Sequence, residues 1–477
     1  MMSHPAGLPI GPKWIETGTE PVTFPYDGSV VAEAPVGTKE LARLAIDEAV
    51  AVKAEVAALP SRIRRDILTS AGRALAAHRE EFEQLLVAET GKPLVDCKVE
   101  VARTLVTLQA AAEEVARLHG ETVPLDLLPS GDGLVGFWTR RPIGVVVGIA
   151  GFNYPLLLAA HKIAPSIAAG CPVVCKPAPA TPLATLWLAH LLREAPVEAG
   201  APEAIVQVVT GDAEVGSTLV TDPRVGAVSF TGSAAVGHQI ARDAAPRKTL
   251  LELGSNAALV VAADADLAAA ADAVLRGGFY ASGQACISVQ RVIVVDSVAE
   301  EFTTLLKTRM KEVVVGDPRD PATRVSALID GRSTARVLQW VENAVSAGAR
   351  VIAGGGSESG VIMPTVLADV PDGAPCWDEE VFGPVVCIRT VSTVEDAFAV
   401  VNNSRYGLHA SVFTRSLETA FRALDVLEVG GVVVNEVPGF RSDTMPYGGV
   451  KDSGVGREGP RFAVEELTVT RMAVIRP

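Results

Sequence analysis

Apolar and polar residues alternate at helical intervals through the first 120 residues. Between residues 38 and 59 the apolar side chains recur every three or four positions, which places them on one face of a helix. They are Leu41, Ala45, Ala49, Val52 and Val56. The same spacing predicts a second amphipathic helix over residues 61–90, where Gly91 and Pro93 end it, and a third over about residues 98–118.

Beyond Pro142 the pattern changes to short runs of β-branched residues that alternate with Ala- and Leu-rich helical stretches. Parallel strands that are buried on both faces have such unbroken runs, and the helices between them supply the crossovers. The strand candidates are residues 143–150, 172–176, 205–210, 227–231, 248–253 and 258–262. They predict a doubly wound α/β unit, and a second alternating α/β series follows from about Leu267 to the segment around Pro446.

The composition of the 477 residues narrows the class of protein. A chain of this length forms roughly two to four packed units. Its 42 Lys and Arg against 56 Asp and Glu give a formal charge of −14 without a basic run, so we expect no nucleic-acid partner. Glycines, Asn153 and Pro155 interrupt the most apolar stretch, residues 143–160, which argues against a membrane span. The first residues lack the pattern of a secretory signal, so we expect a cytoplasmic protein.

Six irregularly spaced cysteines do not form a disulfide framework, and no metal site is expected from them. Cys171 and Cys175 lie four positions apart on or beside a strand, roughly 13 Å, which is too far to share a disulfide or a metal ion. Cys286 differs from the others because it lies in a small-residue segment between a helix and a strand. Such a junction lets the sulfur face a cleft, although a buried structural thiol is an equally good interpretation.

Two further polar residues end predicted strands. Glu252 ends an apolar strand, where a carboxylate faces the crevice in which α/β sheets bind ligands. Because a buried carboxylate is costly, we favour a general base over a structural glutamate that is hydrogen-bonded within the core. Asn153 follows the strand at 143–150, and its amide could donate to an oxyanion or cap the next helix. The segments at 176–179 and 230–237 each close a strand and open a helix, and the N-terminus of a helix attracts a phosphate group. Such a turn is by itself only a weak indication of phosphate binding.

Together these segments resemble the aldehyde dehydrogenase superfamily over nearly the whole chain. The matching motifs, in family order, are GFNYP at 151–155, KPA at 176–178, FTGS at 230–233, LELG at 251–254, GQAC at 283–286, EVFGP at 380–384, YGL at 406–408 and PYGGVKDSG at 446–454. Eight motifs in the same order are highly specific. Ser255 and Asn256 depart from the Gly-Lys pair that usually follows the glutamate of the family.

The resemblance implies an α/β fold with two doubly wound, Rossmann-like domains and a small β arm for oligomerisation. The NAD(P)-binding domain would comprise residues 1–123 and 143–254, and the catalytic domain residues 255–454. The arm would comprise residues 124–142 and 455–477. Such arms pair across protomers in this family, so a homodimer or homotetramer is implied.

The resemblance also implies a mechanism. Cys286 attacks the aldehyde as a thiolate, and the oxyanion is held by the Asn153 amide and the Cys286 backbone N–H. After hydride transfer to the nicotinamide, Glu252 activates the water that hydrolyses the thioester to a carboxylic acid. Lys162 matches a lysine that exchanges protons with this base, while a solvated helix lysine is the alternative.

The cofactor implied is NAD or NADP. In the family scheme Lys176 binds the adenine ribose, Ser233 the pyrophosphate and Glu380 the nicotinamide ribose, and Phe382 lies near the nicotinamide ring. Pro179 replaces the glutamate with which many NAD-preferring members repel a 2′-phosphate, so NADP is also expected to fit. The remaining cofactor positions are Phe152, Gly211, Gly216, Phe230, Thr231, Gly232, Gly237 and Leu253.

The substrate positions resemble those of members that bind anionic aldehydes. Arg103, Tyr154 and Arg441, with His161 on the same helix as Tyr154, resemble the anion clamp of non-phosphorylating glyceraldehyde-3-phosphate dehydrogenases and related semialdehyde enzymes. The other substrate positions are Ala285, Ile287 and Tyr447. Two observations count against the clamp: Ala285 stands where the phosphate-binding members carry another arginine, and Arg441 could pair with Asp443.

Alternatives to a small anionic aldehyde remain. A neutral aliphatic or aromatic aldehyde is the first, and the segment at 286–291 also resembles lactaldehyde-type and phosphonoacetaldehyde-type members. In a second alternative coenzyme A resolves the thioester, but Glu252 argues against it because acylating members generally lack that base. A third alternative is a protein that keeps this fold for binding or structural purposes without being an enzyme. Such a protein has no physical need for Cys286, Glu252, Asn153 and Lys176 together.

Overall fold

The computed structural model describes residues 6–477. Residues 1–5, part of the segment from which the absence of a secretory signal is inferred, lie outside the described residues. The strands in chain order are β1 Leu8–Ile10, β2 Lys13–Ile15, β3 Thr19–Thr23, β4 Val30–Pro35, β5 Glu121–Thr122, β6 Val135–Pro142, β7 Val145–Ile149, β8 Val173–Lys176, β9 Val206–Val208, β10 Val225–Thr231, β11 Lys248–Glu252, β12 Ala258–Val261, β13 Arg291–Val295, β14 Arg350–Ala353, β15 Ser357–Glu358, β16 Val361–Ile362, β17 Thr365–Ala368, β18 Val385–Val391, β19 Tyr406–Gly407, β20 His409–Phe413, β21 Gly431–Val434, β22 Val450–Lys451, β23 Gly454–Val455 and β24 Thr468–Ile475.

The helices lie between these strands. In chain order they are α1 Lys39–Ala58, α2 Ser61–Ala77, α3 Arg79–Thr90, α4 Leu94–Glu114, α5 Pro155–Ala169, α6 Leu183–Ala199, α7 Ala213–Thr221, α8 Ala234–Ala244, α9 Leu267–Phe279, α10 Asp296–Arg309, α11 Gly331–Ser346, α12 Pro375–Asp378, α13 Val394–Asn402, α14 Leu417–Val426 and α15 Pro460–Glu466. Within residues 6–477, no helix is long and apolar enough to cross a membrane.

The N-terminal helices follow the predicted periodicity. Helix α1 begins after Thr38, whose side chain accepts a hydrogen bond from the Leu41 N–H, and it buries Ala45 and Ala49. The single helix predicted over 61–90 is wrong in one respect, because two helices, α2 and α3, meet at His78. The apolar stripe continues across this break, so periodicity alone does not reveal it.

The first sheet has the strand order β23-β11-β10-β7-β8-β9, and its five strands from β11 to β9 are parallel. The chain runs outward from β7 to β9, then returns to place β10 on the other side of β7. The two neighbouring strands β7 and β10 therefore lead into helices on opposite sides, and this switch point is where open α/β sheets bind ligands.

The second sheet has the order β14-β17-β18-β13-β12-β20-β21, with only β14 antiparallel to its neighbour. The strand predicted at 258–262 as part of the first unit is β12, and it lies inside this second sheet, between β13 and β20. The prediction placed it wrongly because a buried Val-rich run does not encode which sheet it joins. Apart from that strand, the doubly wound α/β architecture is as expected.

A separate three-stranded sheet has the order β24-β6-β5. Strand β6 pairs along its whole length with the C-terminal strand β24 in antiparallel register, from Val135 opposite Ile475 to Pro142 opposite Thr468. Strand β24 thus has one edge without a partner in this sheet. Its Val474 and Ile475 side chains are largely exposed.

Candidate active site

A cavity of about 430 Å³ lies at the carboxyl ends of β7, β10 and β11, where the first sheet meets the loops of the second. Most residues proposed from the sequence contribute to its wall. They are Arg103, Phe152, Asn153, Tyr154, His161, Thr231, Gly232, Ser233, Glu252, Leu253, Ala285, Cys286, Ile287, Glu380, Phe382, Arg441 and Tyr447. Seven others do not line this cavity: Lys162, Lys176, Pro179, Gly211, Gly216, Phe230 and Gly237.

The loop that carries Cys286 is held in an unusual backbone conformation. Ala281 and Ser282, after helix α9, have φ values of 49° and 57°, a left-handed region that costs non-glycine residues free energy. The Asp96 carboxylate of α4 accepts a hydrogen bond from the Ala281 N–H at 2.9 Å, and the Ser282 hydroxyl accepts one from the Ser326 N–H at 2.9 Å. These side chains from distant elements stabilise the strained turn. The sequence did not point to Asp96.

Cys286 is half-buried, whereas the other five cysteines are buried. Its Sγ lies 3.4 Å from the Tyr447 hydroxyl. Burial raises the pKa of the Cys286 thiol to about 12, and the contact with Tyr447 opposes this rise only in part. The carboxyl groups of Glu380 and Glu252 raise the pKa further, while Arg441 lowers it. The thiol is therefore protonated at neutral pH in the free protein.

Asn153 does not cap helix α5. Its Nδ2 donates a hydrogen bond to the Gln284 carbonyl at 2.8 Å, next to the Cys286 loop. The first N–H groups of α5, those of Leu156 and Leu157, donate instead to the Glu100 carboxylate of α4. Because a side-chain amide has two N–H groups, Asn153 keeps one donor for a ligand in the cavity.

Glu252 ends β11 with its side chain buried and its Oε2 without a hydrogen-bond partner. Burial raises the pKa of its carboxyl group well above the usual value, and the neighbouring Glu458 carboxylate raises it further. Lys162, Arg441 and Arg457 oppose the rise. A carboxyl group with a raised pKa that faces a cavity is typical of an acid–base site.

The Glu458 carboxylate is the shared partner of several basic side chains beside the cavity. Lys162 of α5 forms a buried ion pair with it, His161 Nδ1 lies 3.2 Å from its Oε2, and Arg441 Nη2 donates to the same oxygen at 3.2 Å. The alternative of a solvated Lys162 is wrong, because its side chain is fully buried. The sequence analysis missed Glu458, although a carboxylate between glycines shortly after the PYGGVKDSG motif was a usable signal.

The two arginines expected to clamp an anion are partly neutralised. Arg103 makes a bidentate pair with Asp443, at 3.0 Å from Nε and 2.8 Å from Nη2. Arg441 Nε lies 3.7 Å from Asp443, so Glu458 is its closer partner. Both arginines still line the cavity, and the buried Arg441 Nε has no hydrogen-bond partner. Both arginines are thus paired with carboxylates, but Arg441 keeps an unused N–H donor.

The remaining positions fit a dinucleotide. Phe152 and Phe382 meet edge to face, 5.6 Å between ring centroids, at the wall of the main cavity, and the Glu380 carboxylate accepts a hydrogen bond from the Ser255 N–H. Pro179 and Gly211 line a second cavity of about 330 Å³ beyond β9.

Lys176 is buried at the end of β8, and burial lowers the pKa of its amine to about 8. A Cβ on Gly216 would lie at an ordinary contact distance of 3.7 Å from the Lys176 side chain, so Gly216 lies next to this lysine. A buried cation at the end of a strand suits the ribose hydroxyls and phosphates of a dinucleotide. Phe230 and Gly237 pack beneath the turn: a Cβ on Gly237 would lie 2.3 Å from Leu253 Cδ2.

Comparison with known proteins agrees with this geometry. Residues 14–473 match the aldehyde dehydrogenase family. The 3-sulfolactaldehyde dehydrogenase of Priestia aryabhattai is 40% identical over 471 residues, 98% of either chain.

Two solved structures are similar over nearly the whole chain. Aldehyde dehydrogenase 21 of Physcomitrella patens, in complex with its reaction product succinate, superposes with a TM-score of 0.95 at 36% identity, over 99% of this chain and 98% of the other. The glyceraldehyde-3-phosphate dehydrogenase of Methanocaldococcus jannaschii, complexed with NADP, superposes with a TM-score of 0.92 at 35% identity, over 96% of this chain and 99% of the other.

The chain belongs to the aldehyde dehydrogenase family. It is an NAD(P)-dependent aldehyde dehydrogenase, an oxidoreductase that acts on the aldehyde group of its substrate.

Proposed function

We propose that the cavity oxidises a small anionic aldehyde and that Cys286 is the nucleophile. The Cys286 thiol first gives up its proton to solvent; the thiolate sulfur then forms a bond to the aldehyde carbon, and the electron pair of the carbonyl bond moves to its oxygen. The free N–H of the Asn153 amide and the Cys286 backbone N–H stabilise this oxyanion. NAD(P), when bound, supplies the hydride acceptor that turns the adduct into a thioester.

Glu252 then serves as general base for hydrolysis of the thioester. Its ionised carboxylate takes a proton from water, the water oxygen bonds to the acyl carbon, and the Cys286 sulfur leaves as a thiolate. The unpartnered Oε2 of Glu252 supports this role, since a buried carboxylate oxygen without a donor has an open place for a water molecule. Lys162 favours the ionised state of Glu252 through its positive charge. Retention of Glu252 also argues against a transfer to coenzyme A.

The cofactor would lie across the carboxyl edge of the first sheet. Ser233, Gly232 and Thr231 would meet the pyrophosphate at the start of α8, where helix N–H groups attract phosphate. Glu380 and Phe382 would hold the nicotinamide end, and Lys176 the adenine ribose. The other residues assigned to this site are Phe152, Pro179, Gly211, Gly216, Phe230, Gly237 and Leu253.

An anionic substrate is the best fit to the charge around the cavity. Three cations, Arg103, Arg441 and Lys162, surround two ionised carboxylates, Asp443 and Glu458, whose pKa values are lowered below the usual range. Arg103 and Arg441 still line the cavity, and the buried Arg441 Nε has no hydrogen-bond partner, so an acid group on the substrate would accept a hydrogen bond there. The named relatives act on sulfolactaldehyde or yield succinate, and both molecules carry an acid group.

The remaining substrate contacts are apolar or aromatic. Tyr154, Ala285, Ile287 and Tyr447 line the cavity beside Cys286, and His161 lies behind them. Ala285 adds no charge where related phosphate-binding enzymes carry an arginine. A carboxylate or sulfonate therefore fits this wall better than a phosphate does.

The experiment that tests the substrate class is a panel of initial rates. Aldehydes with a carboxylate, a sulfonate or a phosphate would be compared with neutral aldehydes of equal length, with NAD and NADP in parallel. A kcat/KM at least tenfold higher for the anionic members supports the proposal, which corresponds to about 1.4 kcal/mol. Equal or better use of neutral aldehydes would contradict it and would make Arg103 and Arg441 structural.

We also propose a homodimer or homotetramer, assembled through an arm of residues 124–142 and 455–477. The unpaired edge of β24 with its exposed Val474 and Ile475, and the exposed Leu417, Phe421 and Leu424 on α14, support this. The cofactor domain would comprise residues 1–123 and 143–254, and the catalytic domain residues 255–454. A cytoplasmic location agrees with six unpaired cysteines, and the acidic charge argues against a nucleic-acid partner.

A further inference from the structure

Among residues 6–477, Tyr447 is the one side chain with a hydrogen-bond contact to the Cys286 sulfur. Its hydroxyl lies 3.4 Å from Sγ, within hydrogen-bond distance for sulfur. In the resting protein both groups carry a proton, so either one can be the donor. Once the thiol has lost its proton, only the phenol can donate.

The Tyr447 phenol keeps its proton when the Cys286 thiol has lost its own. Burial raises the pKa of Tyr447 well above its usual value, and the neighbouring Cys286 raises it further. Deprotonation of both groups would place two negative charges side by side in a buried site. The thiolate and the neutral phenol therefore form the stable pair, with the O–H directed at the sulfur.

The surroundings hold Tyr447 in place and strengthen it as a donor. Its N–H and C=O pair with the backbone of Glu458, at 3.1 Å and 2.7 Å. The Arg441 guanidinium lies over the ring, 3.8 Å from its centroid. A cation over the ring withdraws electron density from the phenol, which makes the O–H more acidic and a better donor. The His409 ring also packs against Tyr447, edge to face, with 5.0 Å between centroids.

We propose that Tyr447 is a catalytic residue whose hydroxyl donates a hydrogen bond to the Cys286 thiolate, which stabilises the thiolate and increases the fraction of the nucleophilic form at any given pH. Tyr447 is assigned above only as a wall of the substrate cavity. This inference rests on the proposed role of Cys286 as nucleophile. It concerns the free enzyme before the aldehyde binds.

The other charged groups around the sulfur do not replace this contact. Glu252 and Glu380 disfavour the thiolate through their carboxyl groups. Arg441 favours it, but the guanidinium acts from over the Tyr447 ring and no direct contact with Sγ is recorded. Tyr280, another tyrosine that lines the cavity, has a buried hydroxyl without a hydrogen-bond partner.

The test measures the pH dependence of Cys286 alkylation by iodoacetamide in the full-length protein, with the modified peptide quantified by mass spectrometry. Tyr447→Phe keeps the ring and removes the hydroxyl, so the apparent thiol pKa is expected to rise by about one unit or more. At a pH below both values, alkylation slows about tenfold for each unit. Tyr280→Phe removes a neighbouring hydroxyl that makes no hydrogen bond to the sulfur, and its thiol titration is expected to match that of the unaltered protein.

An unchanged titration in Tyr447→Phe would overturn the proposal, and so would an equal shift in Tyr280→Phe. If Tyr447→Phe fails to fold, as judged by circular dichroism and NAD(P) binding, 3-fluorotyrosine at position 447 provides the second measurement. A more acidic phenol is a stronger donor, so the thiol pKa is then expected to fall, and no change or a rise would refute the idea. Because alkylation needs no turnover, this result is independent of whether Cys286→Ala abolishes oxidation, which tests the proposed function itself.

Discussion

Arg103 of helix α4 and Asp443 of the loop after β21 form a bidentate ion pair across 340 positions of sequence, with 3.0 Å between Nε and Oδ2 and 2.8 Å between Nη2 and Oδ1. The Asp443 side chain is only 3% exposed. Burial alone would raise the pKa of Asp443, but contacts with His161 and Arg103 hold it well below its usual range. This pair holds the Arg103 guanidinium at the wall of the cavity.

Asp443→Asn is expected to lower the free energy of unfolding by about 3 kcal/mol, because Arg103 loses its charged partner at a largely buried site. Thermal or urea unfolding measures this. The carboxylate stabilises the fold at pH values above its unfolded pKa of about 3.9, and this contribution disappears as the pH falls below that value. The control is Asp369→Asn, which breaks the exposed pair with Arg350 and should cost less than about 0.5 kcal/mol. Equal effects of the two substitutions would contradict the prediction.

Cys286→Ala is expected to abolish aldehyde oxidation, because no other thiol lines the cavity within the described residues. Cofactor binding, measured by isothermal titration calorimetry, should stay close to that of the unaltered enzyme. Cys387→Ala is the control: this cysteine is buried in β18, so oxidation should persist even if stability falls. Turnover that survives in Cys286→Ala would rule out the proposed nucleophile.

Glu252→Gln is expected to release one equivalent of reduced cofactor rapidly and then stall, because the thioester forms but is not hydrolysed. Stopped-flow absorbance of the reduced nicotinamide records the burst. In the unaltered enzyme, hydrolysis should slow as the pH falls, since the raised pKa of Glu252 means that its carboxyl group gains a proton sooner than an ordinary glutamate. A steady-state rate unaffected by Glu252→Gln would assign water activation to another group.

Arg441→Ala is expected to raise KM about tenfold or more for carboxylated or sulfonated aldehydes, while the KM for neutral aldehydes changes little. The physical reason is the loss of a buried N–H donor and of the positive charge that balances the acid group. Neutral aldehydes of the same length serve as the internal control. Equal increases for both classes would mean that Arg441 only supports the fold through Glu458.

Lys176→Met is expected to weaken NAD(P) binding and to remove its dependence on pH. In the unaltered protein, burial lowers the pKa of Lys176 to about 8, so affinity should fall as the pH rises through that value and the amine loses its charge. Fluorescence titration between pH 7 and 9 measures both effects. Lys311→Met, at an exposed position, is the control and should leave the affinity unchanged. The same pH dependence in both variants would assign it to another group.

The local pattern of apolar and polar residues was sufficient to predict many of the strands and the position of the cavity. The Val-rich runs correctly indicated β7, β8, β10 and β11, since a strand buried on both faces needs apolar side chains at every position. Glycine turns and polar strand ends correctly indicated where the cavity lies, because parallel strands all present their carboxyl ends at one edge. Cys286, Glu252 and Asn153 were candidates from this pattern, and the resemblance to a known family singled them out before any contact was known.

Tertiary structure alone decided the electrostatics of the site. The amino-acid order does not state that Arg103 would meet Asp443, that Lys162 and Arg441 would share Glu458, or that the Tyr447 hydroxyl would touch Cys286. The strength of such contacts depends on how far water is excluded and on which charges converge, and both are properties of the closed fold. The sequence by itself determined the chemical groups and the strands that carry them, whereas packing determined which groups are paired, which are protonated and which remain free to bind a substrate.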